Sequence, residues 1–500
     1  MIRSREEIVA RVRAGSSLAG ETFEGVNLDG LSLAGTDLTG AVFTRCTARH
    51  TRFAGATLED ASLAGTDLTG ADLTEAALEG AVFEGAVLDE AALDDARAHV
   101  LNLTGASLKL TSARRVDLTG ALLRGADLTS ADLTSATLSN AVLEGANLTG
   151  AVLEAAALDG ADLSAATLEQ AVFTGANLQR ARLANAVGAS AAFGRADLRG
   201  AVFDGSGLTL LDFTRADLSG ARLSGCALSS AAFEGASLVE ADLAGADLRG
   251  ADLTGADLTR AVLRGARLAR ANLTGARLGG VDLRGERIER ARLSRVDLTT
   301  TKLAGAALIE CLLEEVRAEG VDLTGCDLTD STLSGAKLAR AVLARAVTRQ
   351  TSFEGADLRE ANLRGLAATL ANLRGAVLER ADATGAVLDD AALDGANLRG
   401  LRAERATFAE ARLTGADLTG AILRAATFAR ADLSHANLDG CDLREAILDG
   451  ADIHRAAVEK ADRRGASTRG TRATDPERAR AEDFKPTPPV AAGKSGARRA

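Results

Sequence analysis

Tryptophan and tyrosine are absent from this 500-residue chain, and its single methionine is Met1. Aromatic residues make up 3%, all of them phenylalanine. Such a sequence lacks the large anchors that dominate ordinary globular cores and hot-spot interfaces. The five cysteines, Cys46, Cys226, Cys311, Cys326 and Cys441, are scattered and odd in number. They form no CxxC pair and no Cys/His cluster, so neither a disulfide framework nor a zinc site is expected. The four histidines, His50, His99, His435 and His454, have no partner at metal or triad spacing and read as solvated surface groups. There is no GxSxG, P-loop or HExxH. The sequence therefore predicts a non-enzyme with no catalytic, cofactor or metal residues. No run of ~18 apolar residues suggests a membrane span. The opening MIRSREEIVARVRAG lacks the apolar core of a signal peptide. The expectation is a cytoplasmic protein that does not bind membrane. A net charge of −11 argues against direct nucleic-acid binding.

What is abundant is alanine, leucine and glycine, in a phrase such as GADLRGADLTGADLTRAVL (residues 245–263) that repeats every five residues. Neither a helix nor a strand has that period. From Leu18 to Val458 there are 89 unit centres without a frame slip, and 80 of them are Leu, Phe, Ile or Val. Two residues before each centre sits a small residue, usually Ala, which shares the inward side in extended backbone. The residue between them points out. Glycine closes most units, where a type II turn needs a positive φ. Each unit is thus a short strand and a corner, and four corners close a coil of about twenty residues, stacked at strand spacing.

The repeated ADLTG, ANLRG and ADLSG units resemble the A(D/N)Lxx signature of the pentapeptide repeat family, over roughly residues 16 to 460. The resemblance implies an all-β, right-handed quadrilateral β-helix, here of about 22 four-sided coils. Residues 1–15 are expected to form a capping helix, with Ser4 and Glu7 as a capping box. Residues 16–460 form the pentapeptide-repeat solenoid. Residues 461–500, basic and rich in Pro, Ala and Arg, are expected to be disordered because Arg463 and Thr468 replace the apolar centres.

Phe173, Phe193, Phe213 and Phe233 lie one coil apart and are expected to stack as a core ladder. The cysteines all fall on the small inward position, as buried hydrophobes. Nine centres are small. Leu366 and Leu401 offset Ala368 and Ala403, and weak coils are expected near 96–115 and Gly188. Outside, Arg264, Arg267 and Arg270 lie one coil from Arg284, Arg287 and Arg290, a candidate basic docking patch for an acidic surface. Glu59, Glu75, Glu79 and Asp95 form a candidate acidic patch, in a stretch of residues 51–100 that sums to −9.

These features predict a non-catalytic scaffold or interaction rod binding an unidentified protein through flat charged faces, as a monomer or end-to-end dimer. The family resemblance offers an alternative, a DNA-mimicking modulator of DNA gyrase or another type II topoisomerase. B-form DNA carries one charge per ~1.7 Å, far more than the −16 of the first 450 residues. The opening segment is also similar to pentapeptide proteins associated with bacterial type VI secretion systems, a third reading.

Overall fold

The computed structural model describes residues 1–483. They fall into two compact units, Met1–Thr351 and the part beginning at Ser352, and each is an all-β solenoid in its own right. The unit 126–130 shows why five residues suffice. The Ala126 amide closes the preceding corner on the Leu123 carbonyl, 3.1 Å away. The Asp127 amide bonds the previous coil at Ala106 (2.9 Å), while the Leu128 and Ser130 amides bond the next coil at Asn147 (2.8 Å) and Thr149 (2.9 Å). One amide, that of Thr129, remains, and the Asp127 side chain accepts it at 3.1 Å. Buried or half-buried backbone polar groups need such partners, and where Asp or Asn stands before the centre its side chain supplies one through an Asx-type turn.

In the first unit, parallel bridges join residues twenty apart, as in Asn27↔Thr47 and Thr47↔Asp67. Where three residues pair in a row they count as strands: β1 (Thr22–Glu24) with β2 (Val42–Thr44), β3 (Val187–Ala189) with β4 (Gly207–Thr209), and β5 (Arg287–Glu289) with β6 (Ala307–Ile309). Corner residues have positive φ, 62° at Gly40 for example. Many corners hold other residues in the same conformation, such as Arg180 at 57°, at a local cost of about 1–2 kcal/mol each. Helix α1 (Arg5–Arg13) starts at Ser4, whose hydroxyl accepts the Glu7 amide. Its Ile8 is buried, its Arg5 donates to the Asn27 and Asp29 carbonyls, and its Arg11 pairs with Glu21 at 2.7 Å. The helix therefore lies against the first coil.

Leu and Phe centres fill the interior, nearly all at 0–2% exposure. Ala368 and Ala403 are fully buried beside the buried Leu366 and Leu401. At Gly188 the corner gives way to the extended β3 with φ 132°, and a Cβ there would lie 2.6 Å from the Glu169 nitrogen. The weakness expected over 96–115 is not found: bridges from Arg97↔Asp117 to Ser112↔Asp132 run without a gap. Main-chain pairing between coils does not depend on the size of the centre, and Ala98 and Ala113 stay buried.

The second unit repeats the pattern from Ser352↔Asn372 to Asp452↔Arg472. It then forms helix α2, Pro476–Asp483. Winding thus continues through residues 461–472, which the sequence reading places in a disordered tail. Those units keep their backbone pairing and their Asx contact, with the Asp462 side chain accepting the Arg464 amide. Arg463 and Thr468 are simply exposed. The rest of that tail, including Phe484, lies outside the described residues.

Candidate functional site

The basic patch lies on a stretch of wall where the coil stacking opens. Leu243, Leu248, Leu258 and Leu273 each donate to the coil above, at 2.7–2.9 Å. Among the described residues, no such bond joins Leu263 to Asp282 or Leu268 to Arg287, and neither Val262↔Asp282 nor Arg267↔Arg287 is bridged. The inward column departs from its usual composition at the same place. Glu286 occupies a position that is Ala in most units, and it is half-exposed where those alanines are buried. Its Oε1 reaches back and accepts the Gly265 amide at 3.0 Å, a role that the Arg264 carbonyl plays for Gly245 one coil earlier (2.9 Å). A cleft of about 680 Å³ results, lined among others by Val262, Arg264, Asp282, Arg284 and Glu286.

All six arginines of the patch are exposed, but their charges are not equally available. Arg284 folds onto Asp282 two residues earlier (2.6 Å), Arg287 onto Glu289 (2.5 Å) and Arg290 onto Glu310 (2.8 Å). Arg267 lies 4.0 Å from Asp247. Arg264 and Arg270 have no ion pair among the described residues. The Arg284 hydrogen bonds hold the Asp282 carboxyl down at about 2. The Asp-x-Arg spacing, seen again at Asp247/Arg249 and Asp357/Arg359, was the sequence signal for this local neutralisation.

The acidic candidates divide in the same way. Glu79 pairs with Arg97 (3.1 Å) and Asp95 with Arg115 (2.6 Å), which lowers the Asp95 carboxyl through the Arg115 hydrogen bonds. Glu59 and Glu75 have no ion pair among the described residues. The four phenylalanines stack at 4.9, 5.3 and 5.0 Å between centroids, and Phe203 meets Phe193 and Phe213 edge-on. The five thiols are free and buried. Each lies within hydrogen-bond reach of a carbonyl 23 residues earlier, as Cys326 does to Leu303 (3.0 Å). Thr51, Thr111 and Thr301 use the same acceptor position. Burial pushes the Cys311, Cys326 and Cys441 thiols up to about 11, so they are poor nucleophiles.

One cluster corrects the sequence reading. His454 is buried rather than solvated, and with His435 it converges on Glu482 of α2. The Glu482 carboxylate lies 3.2 Å from His454 Nε2 and 3.3 Å from His435 Nε2. His454 Nδ1 accepts the Asp475 amide at 3.1 Å. The neutral imidazole must then carry its proton on Nε2 and donate it to Glu482. That tautomer makes a latch, not a ligand set, because a metal would need a bare Nε2. Arg455 adds bonds to the Ala479 carbonyl and Asp483, so the second unit ends under α2. The signal was the nineteen-residue gap between the histidines, about one coil.

Among the described residues no helix is long and apolar enough to cross a membrane. No curated protein matches the chain. Among solved structures, it is similar to HetL, a pentapeptide repeat protein involved in heterocyst differentiation regulation in the cyanobacterium Nostoc. Identity is 32% over 45% of this chain and 89% of that one, with a TM-score of 0.19. It is also similar to full-length QnrB1, a plasmid-mediated fluoroquinolone resistance protein, at 21% identity over 41% of this chain and 96% of that one (TM-score 0.20). A third is a pentapeptide repeat protein of the Arabidopsis thaliana thylakoid lumen, at 29% identity over 25% and 72% (TM-score 0.10). The family model described as "Pentapeptide repeats (8 copies)" matches successive segments from residue 14 to residue 462, with short gaps such as 206–211 and 286–290. With that coverage, and with the five-residue corner and bridges between residues twenty apart recurring along both units, the chain belongs to the pentapeptide repeat family.

Proposed function

We propose that this solenoid, wound right-handed in about 22 coils, is a non-catalytic scaffold that binds an acidic protein surface on the wall around Arg264, Arg267 and Arg270. The observation that supports this most is the availability of charge there. Arg264 and Arg270 are unpaired among the described residues and Arg267 is only loosely engaged, whereas the arginines one coil on are neutralised by their own neighbours. An exposed guanidinium without a partner loses little on pairing with an incoming carboxylate and gains a bidentate contact. The interior is filled by Leu and Phe, so binding falls to the outer walls. Five free thiols fit a reducing, cytoplasmic setting.

The test is affinity capture from native cells with the wild-type chain and with Arg264, Arg267 and Arg270 changed to Glu. A partner retained by the wild type and lost by the charge-reversed chain is the expected result. If every captured protein survives the reversal, the wall is only solvated surface. A gyrase supercoiling assay on the same pair of proteins separates topoisomerase modulation from other partners.

A further inference from the structure

The cleft beside Arg264 is a gap in a hydrogen-bonded ladder, and such a gap has a definite chemistry. On one lip the Leu263 amide has no main-chain acceptor, and round the next corner the Leu268 amide has none either. On the other, Asp282 and Arg287 have no amide bond back to Ala261 and Ala266. These are the unpaired groups of short parallel edges, which other strands can pair with. Ala266, at 7%, is more exposed than the alanines of the regular coils. The gap also shows what it accepts. The Glu286 carboxylate sits between the coils on the Gly265 amide, 3.0 Å away, in place of a main-chain carbonyl. Arg264 stands on the rim with no ion pair among the described residues.

We infer that this opening is a binding slot for an extended, acidic segment of a partner protein. The segment pairs its main chain with this one wall, its carbonyl accepting the free Leu263 amide and its own N–H donating to the free Ala261 carbonyl, and sets a carboxylate on Arg264. This deepens the proposed function and rests on it: the wall supplies attraction, and the slot supplies main-chain recognition. Glu286 is then a positioning residue that keeps the rungs apart. Alanine at that position, as in most units, lets the coils close.

The probe is an amidated, acetylated peptide of alternating Glu and Val, alongside the same peptide N-methylated at alternate amides. Binding to the full chain is measured calorimetrically for the wild type, for Glu286→Ala and for Arg264→Glu. The slot predicts that N-methylation weakens binding about tenfold, the loss of one to two net hydrogen bonds. It predicts a similar loss in Glu286→Ala, although that variant is more basic. Equal or tighter binding to Glu286→Ala, with no effect of N-methylation but a loss in Arg264→Glu, would overturn the slot and leave the charged wall standing. Absence of peptide binding to the wild type would also overturn the slot, while the capture experiment judges the wall separately. If Glu286→Ala does not fold, the N-methylated peptide decides alone.

Discussion

Residues 121–201 and 261–322 are built from the same five-residue unit, yet only the first stacks without interruption. In the first stretch every small inward position, from Ala121 to Ala201, is alanine, and the bridges from Leu122↔Val142 to Arg182↔Val202 leave no gap. In the second, the inward column holds Val281, Glu286, Val296, Thr301, Cys311, Val316 and Val321. There the Val262–Asp282, Arg267–Arg287 and Lys302–Asp322 rungs are missing. The large centre residue is buried in both. The three missing rungs all lie where the inward column departs from alanine, while the large residue fills the space the coils enclose.

That contrast can be broken deliberately. The largest effect is expected from Ala161→Glu, which places a carboxylate in the regular column where no spare amide awaits it. A buried, unpartnered charge belongs to the class of substitutions that cost more than ~4 kcal/mol. Chemical denaturation should show it, and hydrogen exchange should place the new openings at the amides of Leu143 and Asp162, the counterparts of those unbonded at Leu268 and Arg287. If those amides stay as protected as in the wild type, an inward carboxylate does not open the stack.

Next comes Phe193→Ala, which removes the middle of the phenylalanine ladder. Loss of a buried Phe costs about 3–5 kcal/mol, and Phe193 also touches Phe203 edge-on. Because coils depend mainly on their neighbours, exchange should rise near residues 173–213 and remain unchanged near 121–140. Uniform destabilisation would contradict that picture.

The smallest effect concerns acid. The Arg284 contact holds Asp282 at about 2, against an ordinary 3.8. A depressed carboxyl stabilises the folded chain fully above pH ~4, and the contribution fades as pH falls towards 2. Asp282→Asn should therefore flatten the dependence of stability on pH in that window and leave neutral pH nearly unchanged, because the pair is exposed. An identical acid profile in the variant would show that the contact adds nothing.

The coil was legible in the sequence because period, inward size and corner glycine all point to one backbone. The Asp or Asn before the centre was legible only as an outward polar residue; its task, accepting the one amide left over, emerges when every backbone group is counted. The basic wall was half legible. Arginines twenty residues apart mark a stack, but Asp282 two residues before Arg284 already neutralises half of it. Glu286 carried the strongest hint, a charge in an alanine column. The C-terminal latch was hidden because it joins His435 and His454 to Glu482, a residue beyond the repeats, and only three-dimensional winding brings them together.

Because each five-residue unit satisfies its own turn and bonds only the coils directly above and below, length and orientation are separable in heredity. Loss or gain of twenty residues leaves every later side chain on its original wall. Loss or gain of five preserves the packing but carries everything downstream a quarter turn round, so that one small in-frame event can present an unchanged face to a different neighbour.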